Sequence, residues 1–166
     1  MRSIVSGRLC GLMLGSALLL GRAARADIDR DEFVSSDGAV QLIVPEGWVL
    51  SPHRAYPDLL VVAVRRDSPA RMSLAAAELP AGTRLGQYVA QSRAVLRKLG
   101  FHANPPAPHP SGAYVLDAST PDRKTLVHQA YKEHAGRVYV FTLAAPAAVV
   151  PAYRDGFEVE LANLRL

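Results

Sequence analysis

One stretch of the chain decides how the rest can be interpreted: Leu42-Ile43-Val44-Pro45-Glu46-Gly47-Trp48. Apolar side chains alternate up to Val44, which predicts a strand with one buried face. Pro45 has no N–H to donate to a sheet, so the strand ends there and Glu46-Gly47 turns the chain into its only tryptophan. Upstream, Asp37-Gly38 is a strong hairpin signal, so the segment starting at Phe33 is expected to pair with this strand.

Downstream of Trp48 the pattern predicts five further strands: Leu59–Val64, Arg71–Leu79, Ala113–Ser119, Thr125–Glu133 and Arg137–Ala144. The first and last of these are apolar at both odd and even positions, as expected of central strands covered on both faces. Between the second and third strands, 104–110 contains four prolines, which predicts an exposed, semi-rigid connection that cannot join a central strand.

Two helices are predicted. Apolar residues from Leu85 to Leu99 recur at spacings of three and four, with Thr83 as the expected N-cap and Gly100 as the C-terminal cap. Pro146 is expected to open a second helix whose apolar stripe is Val150, Tyr153, Phe157, Leu161 and Leu164. Strands followed by helices in this order favour an α+β fold with a mostly antiparallel sheet and two main helices packed on it.

The first 26 residues resemble a secretory signal peptide. Arg2 and Arg8 precede an apolar run of about a dozen residues, shorter than the roughly 20 that a membrane-spanning helix needs. Ala24-Arg25-Ala26 matches the small-x-small cleavage pattern, so cleavage is predicted after Ala26. We therefore expect a periplasmic protein with 27–166 as a single domain and no stable membrane insertion after cleavage.

Composition after cleavage excludes several classes of function. The signal carries four arginines and no acid; removing them from 19 basic residues leaves 15, which equals the 15 acidic residues. Nucleic-acid binding, which a basic domain would favour, loses its support. The only cysteine, Cys10, lies in the signal, so disulfides, thiolate nucleophiles and cysteine-based zinc sites are excluded from the mature chain.

Three segments together resemble the PsbP-like family and its bacterial periplasmic DcrB-like relatives. Ile43–Trp48 is similar to that family's proline-x-glycine-tryptophan signature, and Leu79–Thr83 to the entry of its first long helix. Tyr139–Pro146, followed by Tyr153 and Phe157, resembles its closing strand and helix. The resemblance implies an α-β-α sandwich that binds partners, as in accessory factors of photosystem assemblies, a GTPase-binding nuclear-transport relative and proteins of the bacterial envelope.

No catalytic or metal site is predicted. The five histidines are His53, His102, His109, His128 and His134, and none of their spacings is typical of a zinc site. No nucleophile elbow occurs, and Ser111-Gly112 is expected to be a turn.

A recognition surface is predicted at His128, Tyr131 and Lys132 on the middle strand of the meander, while Trp48 and Tyr139 are expected in the core. The basic side of the first helix is interpreted as solvated, with docking of an acidic partner as the alternative.

The sequence favours an exported, non-enzymatic accessory or binding protein of the cell envelope, without a cofactor, whose partner is an envelope protein that the sequence does not name. Two alternatives stay open. One is a small-ligand or metal-binding periplasmic module with a cleft between the sheet and the proline-rich connection. The other is a hydrolase, which would require a convergent cluster of serine, histidine and an acid, or of histidine and a carboxylate.

Overall fold

The computed structural model describes residues 32–35, 38–51 and 58–166. The predicted signal peptide lies outside the described residues, as do Asp37 of the predicted hairpin turn, His53 and Tyr56. Within the described part of the chain, no helix is both long and apolar enough to cross a membrane.

The described residues form ten strands and two helices. The strands are β1 Glu32–Val34, β2 Gln41–Ile43, β3 Trp48–Ser51, β4 Leu59–Arg65, β5 Arg71–Glu78, β6 His102–Ala103, β7 Ala107–Pro108, β8 Tyr114–Ser119, β9 Thr125–His134 and β10 Arg137–Pro146. The helices are α1 Leu85–Lys98 and α2 Val150–Asn163. β1 and β2 form a separate hairpin, and the others form an eight-stranded sheet in the order β3-β4-β5-β10-β9-β8-β6, with β7 also paired to β8. Every pairing given for this part of the chain is antiparallel.

The central strand β10 divides the core into two layers. Phe141 and Leu143 face the layer that contains Phe157 and Leu161 of α2, together with the β1–β2 hairpin. Val140, of opposite parity, faces the layer formed by α1, β8 and β9. The predicted α+β class is confirmed, because one helix packs on each face of an antiparallel sheet. β10 is central, as its apolar residues on both parities predict.

Three boundaries differ from the sequence-based expectation. The N-cap of α1 is Arg84, not Thr83, because the Gln87 side-chain oxygen accepts a hydrogen bond from the Arg84 backbone N–H at 3.0 Å. Pro146 ends β10, and α2 starts at Val150, where Pro151 is tolerated in the first turn. The proline-rich connection is exposed as predicted, but its residues Ala107–Pro108 form β7 and pair with β8, as the preceding β6 does.

Strand β4 is less covered than its sequence predicts. Val61 and Ala63 are buried, whereas Val62 and Val64 on the other parity are only half-buried. The reason is the position of α1, which packs mainly on β6, β8 and β9 at the opposite end of the sheet. Apolar residues on both parities therefore overstate the cover of a strand that lies next to the sheet edge.

The turn before Trp48 joins the hairpin to the main sheet. The Trp48 N–H donates to the Pro45 carbonyl at 3.1 Å, and Gly47 has a φ of +81°. A Cβ on Gly47 would lie 2.9 Å from the Arg65 guanidinium, the flexible end of a side chain that can shift, so the turn needs glycine for its positive φ more than for space. Trp48 is buried and its ring meets Tyr153 of α2 edge-on, with centroids 5.5 Å apart. Its predicted place in the core is confirmed.

Gly156 interrupts α2 without a steric need for glycine, since an added Cβ would lie 4.0 Å from the Pro45 side chain, an ordinary contact. We expect Gly156→Ala to raise the free energy of unfolding by about 1 kcal/mol, measured by urea denaturation. Gly86→Ala in α1 is the matched control, because its Cβ would lie only 3.2 Å from the Tyr114 hydroxyl oxygen. A destabilised Gly156→Ala variant would contradict the described packing of α2.

Candidate functional site

A polar cluster lies between the sheet and α2. It consists of Asp117, His128, Arg154, Glu158, His109 and Ser111, which come from β8, β9, α2 and the loop between β7 and β8. Asp117 and His128 are direct partners in the β8–β9 register, and an Asp117 carboxylate oxygen lies 2.5 Å from His128 Nδ1. Because a carboxylate only accepts, we assign the Nδ1 proton to His128 as the donor.

Two residues of α2, one turn apart, approach the same imidazole. Arg154 Nη2 donates to Asp117 at 3.1 Å and lies 3.3 Å from His128 Nδ1. Glu158 Oε1 lies 3.3 Å from His128 Nε2. That distance is within the range of an ion pair, but the ring and the carboxylate are not aligned for a hydrogen bond, and Nε2 finds no other hydrogen-bond partner among the described residues. The i, i+4 spacing places both charged side chains on the helix face that covers the sheet.

The loop after β7 completes the cluster. His109 Nε2 lies 3.2 Å from the second Glu158 oxygen, again without a hydrogen bond. His109 Nδ1 accepts from the backbone N–H of Ser111 at 3.3 Å and contacts the Ser111 hydroxyl at 2.9 Å. Contacts therefore run without a gap from Ser111 through His109, Glu158 and His128 to Asp117.

The electrostatics of the cluster hold Asp117 in its charged form. The hydrogen bond from His128 is the main cause that lowers the pKa of Asp117, and the nearby charges of His128 and Arg154 add to it. Burial acts in the opposite direction and is outweighed. Because the carboxylate is stabilised in the fold, it contributes stability above its ordinary pKa, and this contribution is lost as the pH falls through the lowered value.

The hydrolase alternative requires either a serine, a histidine and an acid in contact or a histidine with a carboxylate, and the structure brings both sets together. The serine and histidine are only two residues apart, and their contacts belong to a local turn. Catalysis on an acyl group also needs free N–H donors beside the nucleophile. The Ser111 N–H is used by His109 Nδ1, and the Gly112 N–H donates to the His109 carbonyl at 3.0 Å. The two backbone donors nearest to Ser111 are therefore already occupied.

The three residues predicted as a recognition surface are not brought together. His128 and Tyr131 are each only 3% exposed, on opposite faces of β9. Tyr131 packs against Tyr88 of α1 and donates its hydroxyl to Gln129 at 2.8 Å. Lys132 shares the parity of His128 and is half-buried. His128 is not available to a partner as a recognition surface requires, because α2 covers it and its ring packs edge-on against Phe157 with centroids 4.9 Å apart.

The two other histidines that the structure describes lie apart from each other. His102 is on the edge strand β6, and His134 is at the exposed end of β9. Among the residues that the structure describes, no three histidine, aspartate or glutamate side chains are placed to hold a metal ion.

A cleft of about 410 Å³ adjoins the polar cluster. Its walls are β6, the facing ends of β8 and β9 with the turn between them, and the start of α2. The polar side chains that line it are His102, Asn104, Asp117, Ser119, Arg123, His128 and Arg154, and the apolar ones are Ala118, Leu126, Val127 and Val150. The sequence hypothesis placed a cleft between the sheet and the proline-rich connection, and this cleft touches that connection at Asn104.

A second buried carboxylate lies on α2 outside the cluster. Glu160 is 5% exposed, one of its oxygens has no hydrogen-bond partner in the part of the chain that the structure describes, and burial raises its pKa. Because the pKa of Glu160 is raised in the folded state, the stability of the protein falls as the pH rises from the ordinary pKa of glutamate, about 4.3, through the raised pKa.

We expect Glu160→Gln to be more stable than the parent at pH 7, and this gain in stability should vanish below about pH 4. Urea midpoints across this range would check the prediction, and a gain independent of pH would contradict it.

Comparison with known proteins gives structural neighbours only. No family model matches the chain, and no curated protein matches it significantly in sequence. Cyanobacterial PsbP (CyanoP) from Synechocystis sp. PCC 6803 superposes with a TM-score of 0.60 at 14% identity, covering 89% of this chain and 98% of CyanoP. The chain has the fold of PsbP.

Two further neighbours share this fold. The Saccharomyces cerevisiae Ran-binding protein Mog1p has a TM-score of 0.52 at 15% identity, over 76% of this chain and 82% of Mog1p. LpqN, involved in cell envelope biogenesis of Mycobacterium tuberculosis, has a TM-score of 0.53 at 18% identity, over 76% and 83%. At these identities the likeness establishes the PsbP/Mog1-like fold, and function has to be argued from the site.

Proposed function

We propose that this chain is an exported, non-enzymatic accessory protein of the cell envelope that acts through contacts with another protein. In this proposal the signal at 1–26 is cleaved after Ala26, and 27–166 acts in the periplasm as one domain of the PsbP/DcrB-like type. The partner is a protein of the same compartment.

The observation that carries the proposal is the state of the polar cluster. Its imidazoles and carboxylates face one another, and the N–H groups beside Ser111 are used within their own turn. An active site would instead present a nucleophile with free donors next to it. The cluster is best explained as a set of polar contacts that hold α2 and the loop after β7 against the sheet. The result is a rigid surface for binding.

The fold neighbours support the proposal by analogy. Mog1p is a Ran-binding protein and LpqN takes part in cell envelope biogenesis. Those roles belong to these two proteins. For this chain they are precedents for the use of this fold as a binding module. The predicted export signal is the argument for the periplasm.

In-cell photocrosslinking tests the proposal with one probe on each exposed face. The photoreactive residue replaces Gln91 on α1, Val159 on α2 or Ile43 on the hairpin, all of which are exposed. We expect one face to give a discrete adduct with an envelope protein, confirmed by a reciprocal crosslink from the partner, while the other two faces give none. Full-length protein that keeps residues 1–26 in the cytoplasm, or no adduct from any face, would contradict the proposal.

A further inference from the structure

Two cationic side chains line the cleft beside the polar cluster, Arg123 from the β8–β9 turn and Arg154 from α2. His102 from β6 adds an imidazole to the lining. Val150, the first residue of α2, also lines it, so the positive end of that helix dipole lies at the wall. The amide of Asn104 and the hydroxyl of Ser119 add neutral donors.

The single acidic residue among the described residues that line the cleft is already neutralised. Asp117 accepts from His128 at 2.5 Å and from Arg154 at 3.1 Å. These bonds leave the other nitrogens of Arg154 for a further acceptor, because a guanidinium has five N–H donors. The charge that the cleft presents to a ligand is therefore positive.

Arg123 has a backbone conformation that residues with a side chain rarely adopt. Its φ is +57°, the left-handed region that favours glycine. The neighbouring Asp122 carboxylate accepts from the Thr120 hydroxyl at 2.6 Å and the Lys124 N–H at 3.1 Å. In the described part of the chain no ion pair or hydrogen bond of the Arg123 guanidinium is found, so the strained residue presents a free cation to the cleft. Residues held in sparsely populated backbone conformations cluster at ligand sites.

We propose that the cleft is a binding site for the oxyanion of a small organic molecule, a phosphate or a carboxylate joined to an apolar group. Arg123 and Arg154 bind the oxyanion, since the guanidinium fork matches either group in a bidentate way. Leu126 and Val150 cover the apolar part of the ligand. A volume of about 410 Å³ suits a ligand of this size.

Calorimetric titration of the purified mature protein tests the site. Phenyl phosphate and phenylacetate are the two probes, and benzyl alcohol is the neutral control. We expect at least one anionic probe to bind, with benzyl alcohol at least tenfold weaker, and the preferred probe identifies the oxyanion. The test needs no partner protein, so its result is independent of the proposed envelope contacts. Equal binding of all three compounds, or of none, would overturn the proposal.

Arg123→Gly separates binding from folding. Glycine relieves the strain at this position, so we expect an unchanged or higher Tm together with a loss of at least tenfold in affinity for the preferred probe. Ala135→Gly is the matched backbone control, because Ala135 also has a positive φ, +49°, but lies in the β9–β10 turn outside the cleft. Arg97→Ala on the exposed side of α1 is the charge control. Both controls should keep full affinity, and an Arg123→Gly variant that also keeps it would refute the assignment.

Discussion

Replacing Phe157 with alanine is expected to lower the free energy of unfolding by about 3–5 kcal/mol, the usual cost of removing a fully buried aromatic ring. Phe157 is completely buried in the middle of α2. Its ring stacks on Phe141 of β10, with centroids 4.3 Å apart and planes 8° from parallel, and it also meets the His128 ring edge-on. Alanine would leave a cavity between helix and sheet, and guanidinium denaturation of the mature protein would measure the loss.

Val159→Ala is the control for this prediction. Val159 lies two residues further along α2 but is 55% exposed, so its truncation should change the free energy of unfolding by less than about 0.5 kcal/mol. A loss below about 1 kcal/mol for Phe157→Ala would mean that α2 does not pack on β10 as described. A similar loss for both variants would point to the helix itself and not to its buried face.

The sequence predicts the framework around Phe157 well because that framework follows from local periodicity. The α1 spacings and the stripe through Tyr153, Phe157 and Leu161 repeat at helical intervals, and the long apolar run of β10 marks the centre of the sheet. The predictions fail at the ends of elements, where a single contact determines which residue begins or ends the helix or strand. Gln87 moves the N-cap to Arg84, and continued pairing with β9 keeps Pro146 in the sheet.

The polar cluster was not predicted, because its members come together only through tertiary packing. One part of the signal was present: Asp117 and His128 lie at equal distances on either side of the β8–β9 turn, so hairpin register pairs them. The approach of α2 could not be inferred, because nothing in the sequence orients Arg154 and Glu158 relative to the meander. For the same reason the sequence could not show that α2 covers His128, which was predicted to be part of a recognition surface. Including Tyr131 in that surface overlooked that side chains alternate between the two faces of a strand.

Removing the Asp117 side chain is the second change for which we expect a large effect. Asp117→Ala would leave Nδ1 of the buried His128 without its acceptor, beside the Arg154 guanidinium. A buried donor without a partner costs about 1–3 kcal/mol, and we expect a loss in this range at pH 7 by urea denaturation. The loss should shrink as the pH falls below about 4, the ordinary pKa of aspartate, since the parent then loses the same charge.

Asp117→Asn distinguishes the hydrogen bond from the charge. The asparagine side-chain oxygen can still accept from His128 Nδ1, so this variant should be more stable than Asp117→Ala at neutral pH. It should lose the pH dependence that the parent shows below about pH 4, the ordinary pKa of aspartate. Asp155→Ala, which removes an exposed carboxylate from α2, should change stability by less than about 0.5 kcal/mol. If Asp117→Ala behaves like Asp155→Ala, the cluster does not fix α2 on the sheet. The rigid binding surface inferred for this protein would then lose its structural basis.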